Sequence, residues 1–302
     1  HRIAWNHFTD FAFQEGTDNE VIRLGNSEDQ HKPATCLVER NYFFRCDGEN
    51  EIISNKSSHN TYRSNTFRKC NGALVLRHGH HARVEGNYFF GDGAKDAGGI
   101  RVSDSHHVIV NNYLQDLTGT TWNAAFSILG GKKTSGDTSS GYQAVDGITV
   151  AHNSIINCAR SIFLNKAKGS RAPTGVIANN LVVSSEGPLV IEDLSVEKLE
   201  WLGNLFHGAE VKAELVAVGG DPRLKVSNGL LRPDSEGPTI DAAVDLELSV
   251  EKDIEGQARG KDGKDIGADE VSGGEGRALF PPLSLGDVGV SFLKADGSRK
   301  DR

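Results

Sequence analysis

An asparagine followed two residues later by an apolar side chain recurs along the chain at Asn6, Asn41, Asn65, Asn87, Asn112, Asn153, Asn180 and Asn204. Most of the intervals are about 22 to 27 residues, within the period range of solenoid repeats. The two long intervals, Asn6 to Asn41 and Asn112 to Asn153, carry the polar inserts GNSEDQHKP and GGKKTSGDTSSGYQ, which read as loops thrown out of a regular coil. Ahead of the asparagines lie short alternating segments such as ARVEGN, HVIVNN and GITVAHN, too short and too β-branched for a helical repeat. Roughly three short strands per coil, stacked over many coils, predict an all-β chain folded as a right-handed parallel β-helix. An asparagine at the same corner of every coil can hydrogen-bond its copies above and below, satisfying turn groups that stacking buries. The coils are expected over residues 1–207. Beyond them, 208–302 reads as loops and short strands closing the C-terminal end, with KADGSRKDR as a solvated tail.

Acidic residues outnumber basic ones, 41 to 33, for a formal net charge of −8. That balance argues against a nucleic-acid partner and requires any polyanion to be met by locally clustered positive charge. No apolar run approaches the roughly 20 residues needed to span a bilayer, so no membrane association is expected. The chain opens on HRIAWNHF and contains no methionine, which reads as a product processed or cut from something longer. Its four cysteines lack the close pairs of a zinc site. Cys46, Cys70 and Cys158 each fall five residues after a ladder asparagine, and are expected to fill an inward-facing stack as small apolar groups.

One stretch stands apart. GENEIISNKSSHN, residues 48–60, sets Glu49, Glu51 and Lys56 within eight residues of one another. Side chains at i and i+2 of a strand share a face, so the two glutamates point the same way. Asn19, about one enlarged coil earlier, adds an amide oxygen, and the three form a hard-oxygen set suited to calcium. Lys56 lies nine residues before Asn65 and His78 nine before Asn87, which puts Lys56, Arg77 and His78 side by side on adjacent coils. A bare surface salt-bridge cluster is the competing reading of the same charges. Arg101 offers a planar fork to a substrate carboxylate or caps a sheet edge, and His80 and His81 read as exposed turn histidines available to substrate. The Asn55 sequon NKS is expected to be coincidental.

The NE at residues 19–20 and the segment CDGENEIISNKSSHNTYRSNTFRKCNGALVLRHG, together with GGIRV, VIVNNYL and DIGADE, resemble polysaccharide lyase family six, the chondroitinase B and alginate lyase group. The resemblance implies a right-handed parallel β-helix that cleaves uronate polysaccharides by calcium-assisted β-elimination. By motif position it implies calcium ligands at Asn19, Glu49 and Glu51, a base at Lys56 and an acid at Arg77, with His78 assisting. It further implies a secreted or periplasmic bacterial protein acting on an anionic polysaccharide, with alginate ahead of dermatan sulfate, and leaves open a homodimer. Two departures accompany it. The coils and capping helix that usually precede the RIxxNxF coil are absent from this sequence, and the segment 125–143 lacks the expected arginine- or asparagine-rich loop.

The chemistry accounts for the residue types. Removing a uronate C5 proton places a second negative charge on a carboxylate, so positive charge must be fixed beside it. Lys56 must be neutral to act as a base, and neighbouring positive charge favours that form. Two other classes remain at this level. A pectinase-like glycoside hydrolase would need paired carboxylates across the scissile bond, and Glu49 and Glu51 sit too close together to form an inverting pair. A non-catalytic carbohydrate-binding or adhesion β-helix would have no need of Lys56 and Arg77 against a cation site.

Overall fold

The computed structural model describes residues 1–132, 140–212, 215–260, 263–271 and 279–289. Residues 133–139 of the second insert and the expected solvated tail at 294–302 lie outside the described residues. Three parallel sheets of eight strands run the length of the molecule, and consecutive coils contribute neighbouring strands to each. The first sheet runs from Arg2–Ala4 to Leu199–Leu202, the second from His7–Ala12 to Leu205–Gly208, and the third from Ile22–Gly25 to Val211–Lys212. Among the described residues the only helical turns are two short 3-10 segments. This is the expected parallel β-helix.

The ladder forms at the corner between the first and second sheets. Asn6, Asn41, Asn65, Asn87, Asn112, Asn153, Asn180 and Asn204 pass side-chain amide hydrogen bonds of 2.9–3.0 Å from each to the next. Each recipient oxygen also accepts the preceding asparagine's backbone N–H, as Asn87 Oδ1 does from Asn65 N at 3.0 Å. From Asn41 onward the ladder side chains are fully buried, where an unpaired amide would be costly. Two residues on, Phe8, Phe43, Phe67 and Phe89 stack at 4.9, 4.5 and 4.6 Å inside the coil. Cys46, Cys70 and Cys158 are buried free thiols, as their positions predict.

The segment beyond 215 lies along the barrel's flank rather than only across its end. Leu230, Ile254 and Ala268 pack on Tyr88, Phe90, Tyr113 and Ile156 of the second sheet. Tyr88 Oη donates to the Phe280 carbonyl at 2.9 Å, Thr66 Oγ1 accepts from Leu283 N at 2.8 Å, and Gly289 N donates to the Trp5 carbonyl at 2.6 Å. The chain thus returns to its first coil over the second sheet. The charged wall lies on the third sheet.

Candidate active site

The third sheet's strands Ile22–Gly25, Glu51–Lys56 and Gly72–His78 lie side by side. Their pairing is regular through Ile53 to Asn55 and slips at both ends, between Glu51 and Ile53 and between Asn55 and Lys56. The second slip inserts Arg77, so that Lys56 pairs directly with His78. A bulge of this kind breaks the in-and-out alternation and re-aims a side chain. Here Lys56, Arg77 and His78 are brought together as the spacing predicts. Gly25 and Gly79 hold the same backbone from either side. Both adopt left-handed φ values of 88° and 82°, and a Cβ on them would lie 2.6 Å from the Lys56 carbonyl oxygen and 2.5 Å from the Ser57 carbonyl. Only glycine allows that approach.

Glu49 and Glu51 face a third carboxylate that the spacing argument overlooked. Burial first, and then the charges of Glu20 and Glu51, push the Glu49 carboxyl up to about 7. Glu20 is nearly buried, lies 3.5 Å from Lys56 Nζ, and is bridged by Arg23 at 2.6 Å. Arg23 also pairs with Asp18. Glu20 was legible as the residue after Asn19 in GTDNEV, but no repeat position marked it. Glu51 accepts a 2.5 Å hydrogen bond from the buried Ser54 hydroxyl and stands 3.9 Å from Arg77 and 3.6 Å from Arg101. Several carboxylates held against one another, one of them raised toward neutrality by burial and by its neighbours' charges, are a donor set suited to a hard divalent cation.

Asn19 is buried, and its side chain ties its own loop: Oδ1 accepts from Gln14 N at 2.8 Å and from the Thr17 hydroxyl at 3.4 Å, while Nδ2 donates to two carbonyls. The long Thr17 contact occupies the second lone pair only weakly, so the amide oxygen remains a ligand candidate beside Glu20. Arg101 differs from a substrate clamp. It is 3% exposed, and its fork is taken by the Trp122 and Asn50 carbonyls, Asn123 and Glu51. It holds Glu51 from beneath.

Arg77 lies with its guanidinium 3.6 Å over the Tyr142 ring and donates to the Ser140 carbonyl at 3.2 Å, while its Nη1 is buried without a partner. Lys168, from the short helix Lys166–Lys168 capped by Asn165, sits over Trp122 and Tyr142 at 5.1 and 5.3 Å. Trp122 and Tyr142 were missed because they come from the irregular segment around the second insert, where no ladder position fixes the spacing, and Lys168 because it sits in the short helical turn after Ile162–Asn165 on the next coil. Together with Arg77 they form an aromatic floor carrying positive charge, which suits a ring-shaped anion.

His78 is buried. Its Nδ1 lies 3.1 Å from Gln30 Oε1, an oxygen that also accepts from Gln143 Nε2 at 3.3 Å, so Nδ1 carries the proton. Nε2 is then a lone pair, buried and unpartnered. Burial, reinforced by Arg77 and Lys56, lowers the ring to about 3, so it stays a neutral acceptor. His80 and His81 turn to other histidines instead: their Nδ1 atoms are 2.7 Å apart, His80 stacks on His31, and His81 stacks on His59 and His106. Burial and the surrounding imidazoles hold His80 down to about 4. The recess lined by Gly93, Asp116, Thr118, Ser185 and Glu186 is acidic and lies away from this wall.

The chondroitinase B family model matches residues 1–170. No curated protein matches the chain. Among solved structures, the PL6 family alginate lyase AlyGC is 30% identical over 94% of this chain and 37% of its own, with a TM-score of 0.74. A mannuronic acid specific polysaccharide family 6 lyase from human gut microbiota is 28% identical over 70% of this chain and 48% of its own, with a TM-score of 0.61. A PL6 alginate lyase solved with a trisaccharide, 24% identical over 79% of this chain and 58% of its own, shares the fold with a TM-score of 0.69. The chain therefore spans well under two thirds of the length of these relatives.

Proposed function

The chain belongs to the chondroitinase B family of polysaccharide lyases, and from that premise we propose that its charged wall cleaves a uronate polysaccharide, alginate first, by calcium-dependent β-elimination. The observation that carries the reading is the set Lys56, Arg77 and His78 gathered by the bulge beside three carboxylates.

Glu49, Glu51 and Glu20 would hold calcium, with the Asn19 oxygen as a further ligand. Calcium bound there supplies positive charge against the sugar carboxylate as negative charge builds on it. Lys56, as the base, removes the C5 proton. The C5–H electron pair becomes the C4–C5 double bond, and the C4–O4 bond breaks with its electrons leaving on O4. Arg77 offers its guanidinium charge to the departing oxygen, and Tyr142 beneath the guanidinium fixes its plane. The proton O4 takes up comes from Arg77 or from water. His78 Nε2, a fixed buried acceptor, is placed to receive a Lys56 N–H from the paired strand. Trp122 and Lys168 extend the surface along the polymer.

The glycoside-hydrolase reading is weaker, since the three glutamates crowd one spot rather than flank a bond. The test is a panel of alginate, dermatan sulfate and polygalacturonate followed by ultraviolet absorbance of the unsaturated product, with and without chelator. Alginate should give absorbance that chelation abolishes and calcium restores. Reducing ends without absorbance would favour hydrolysis, and no cleavage of any polymer would favour a binding module.

A further inference from the structure

Beyond the wall, the turn that leads from the third sheet into the first carries a column of imidazoles. His59, His81 and His106 occupy the same turn of three successive coils, each with a left-handed φ, of 62°, 58° and 58°. Their rings stack nearly parallel at 4.9 and 4.8 Å. Coil stacking fixes this geometry, because His59 N donates to the His80 carbonyl at 2.9 Å and His81 N to the Ser105 carbonyl at 3.1 Å. One ring nitrogen from each of His59, His80 and His81 lies within 4.8 Å of the others. The His80 and His81 Nδ1 atoms face each other at 2.7 Å, an approach that one proton or one cation must mediate.

We propose that His59, His80 and His81 form a second cation site, separate from the carboxylate wall and selective for a zinc-class transition metal. The donor chemistry sets the class. Imidazole nitrogens suit zinc, copper and nickel, whereas the glutamate oxygens of the wall suit calcium. Zinc–nitrogen bonds of about 2.0–2.1 Å place tetrahedral ligand atoms about 3.4 Å apart, a spacing between the 2.7 and 4.8 Å found here that the His59 and His81 rings meet by turning out of their stack toward the ion. His59 and His81 are exposed and His80 half-buried, so a three-nitrogen site here keeps a coordination position open to solvent. The ligands span two neighbouring coils, those that end the strands bearing Lys56 and His78, so a metal would tie these strand ends together.

The test is calorimetric titration of the metal-stripped protein with zinc chloride in buffer holding excess calcium. The account expects one zinc per chain that calcium does not displace, together with a rise in Tm. His59→Asn and His81→Asn keep a residue that tolerates the left-handed turn. Each should weaken zinc by more than the roughly tenfold that loss of a supporting partner outside the ligands costs. Calcium affinity and fold, followed by circular dichroism, should not change. His106→Asn, which removes a stacking ring but no ligand, should retain binding. Zinc that calcium displaces, zinc affinity unchanged in both ligand variants, or no binding by the wild-type protein would each overturn the site. None of these outcomes depends on whether the wall is a lyase.

Discussion

The asparagine corner and the charged wall are built from the same coils by opposite means. At the corner one residue type repeats, every rung bonds the next at 2.9–3.0 Å, and buried polar groups are satisfied by copies of themselves. On the wall the repeat is broken. Two slips in pairing flank Ile53 to Asn55, carboxylates are pressed together, and Arg77 Nη1 and His78 Nε2 are left buried without partners. Unsatisfied groups of this kind cost stability, and a regular scaffold can carry them. The difference teaches that regularity marks what holds this molecule together, and departure from it marks where a ligand is to be met.

The comparison is sharpened by breaking each side in turn. The largest effect is expected from Lys56→Ala, which should lower turnover by about a hundredfold to ten-thousandfold, the usual contribution of a positioned base. Polymer binding and calcium affinity should change little, because the lost interaction is made chiefly in the transition state. Arg77→Lys should follow closely, as an ammonium cannot reproduce the planar fork lying on Tyr142; steady-state rates read it. Glu51→Gln should weaken calcium first, with activity partly recovered at high calcium, as a calcium titration of rate will report. At the corner, Asn87→Ala should leave calcium binding intact and cost about 1 to 3 kcal/mol in a denaturant melt by unpairing its neighbours.

The last effect, small at neutral pH, is one of pH. His107 is fully buried; its Nδ1 accepts from Ala82 N at 3.1 Å and its Nε2 lies 2.9 Å from the Ser103 carbonyl, so the ring is held neutral and burial lowers it to about 3. The unfolded chain binds that proton near 6.5 and the folded chain only near 3, so stability is fully present above 6.5 and is lost as pH falls across that window. His107→Gln should flatten this part of a Tm-against-pH curve.

The sequence made the corner legible almost completely, because a buried amide that must bond its own copy has to recur at one interval. The wall was legible in part. Lys56 and His78 are counted from ladder asparagines, and the count survives the bulge because both strands share the same corner. Arg101 stayed open between a substrate contact and a structural cap because spacing assigns a coil, not a depth; its fork is used up beneath Glu51. Glu20, Trp122 and Tyr142 come from segments outside the repeat and Lys168 from a turn on a later coil, and only three-dimensional proximity relates them to the wall. The histidine column was visible as RHGHHA, yet its partners His59 and His106 lie on other coils and convey nothing until the coils are stacked.

The central claim is that the irregular wall performs an elimination. The most direct measurement is ultraviolet absorbance of the products when wild type and Lys56→Ala are given alginate at saturating calcium. The account predicts unsaturated, absorbing products from the wild-type protein and nearly none from Lys56→Ala, although the variant still binds the polymer. Products without a C4–C5 double bond, or a Lys56→Ala rate near that of wild type, would contradict it.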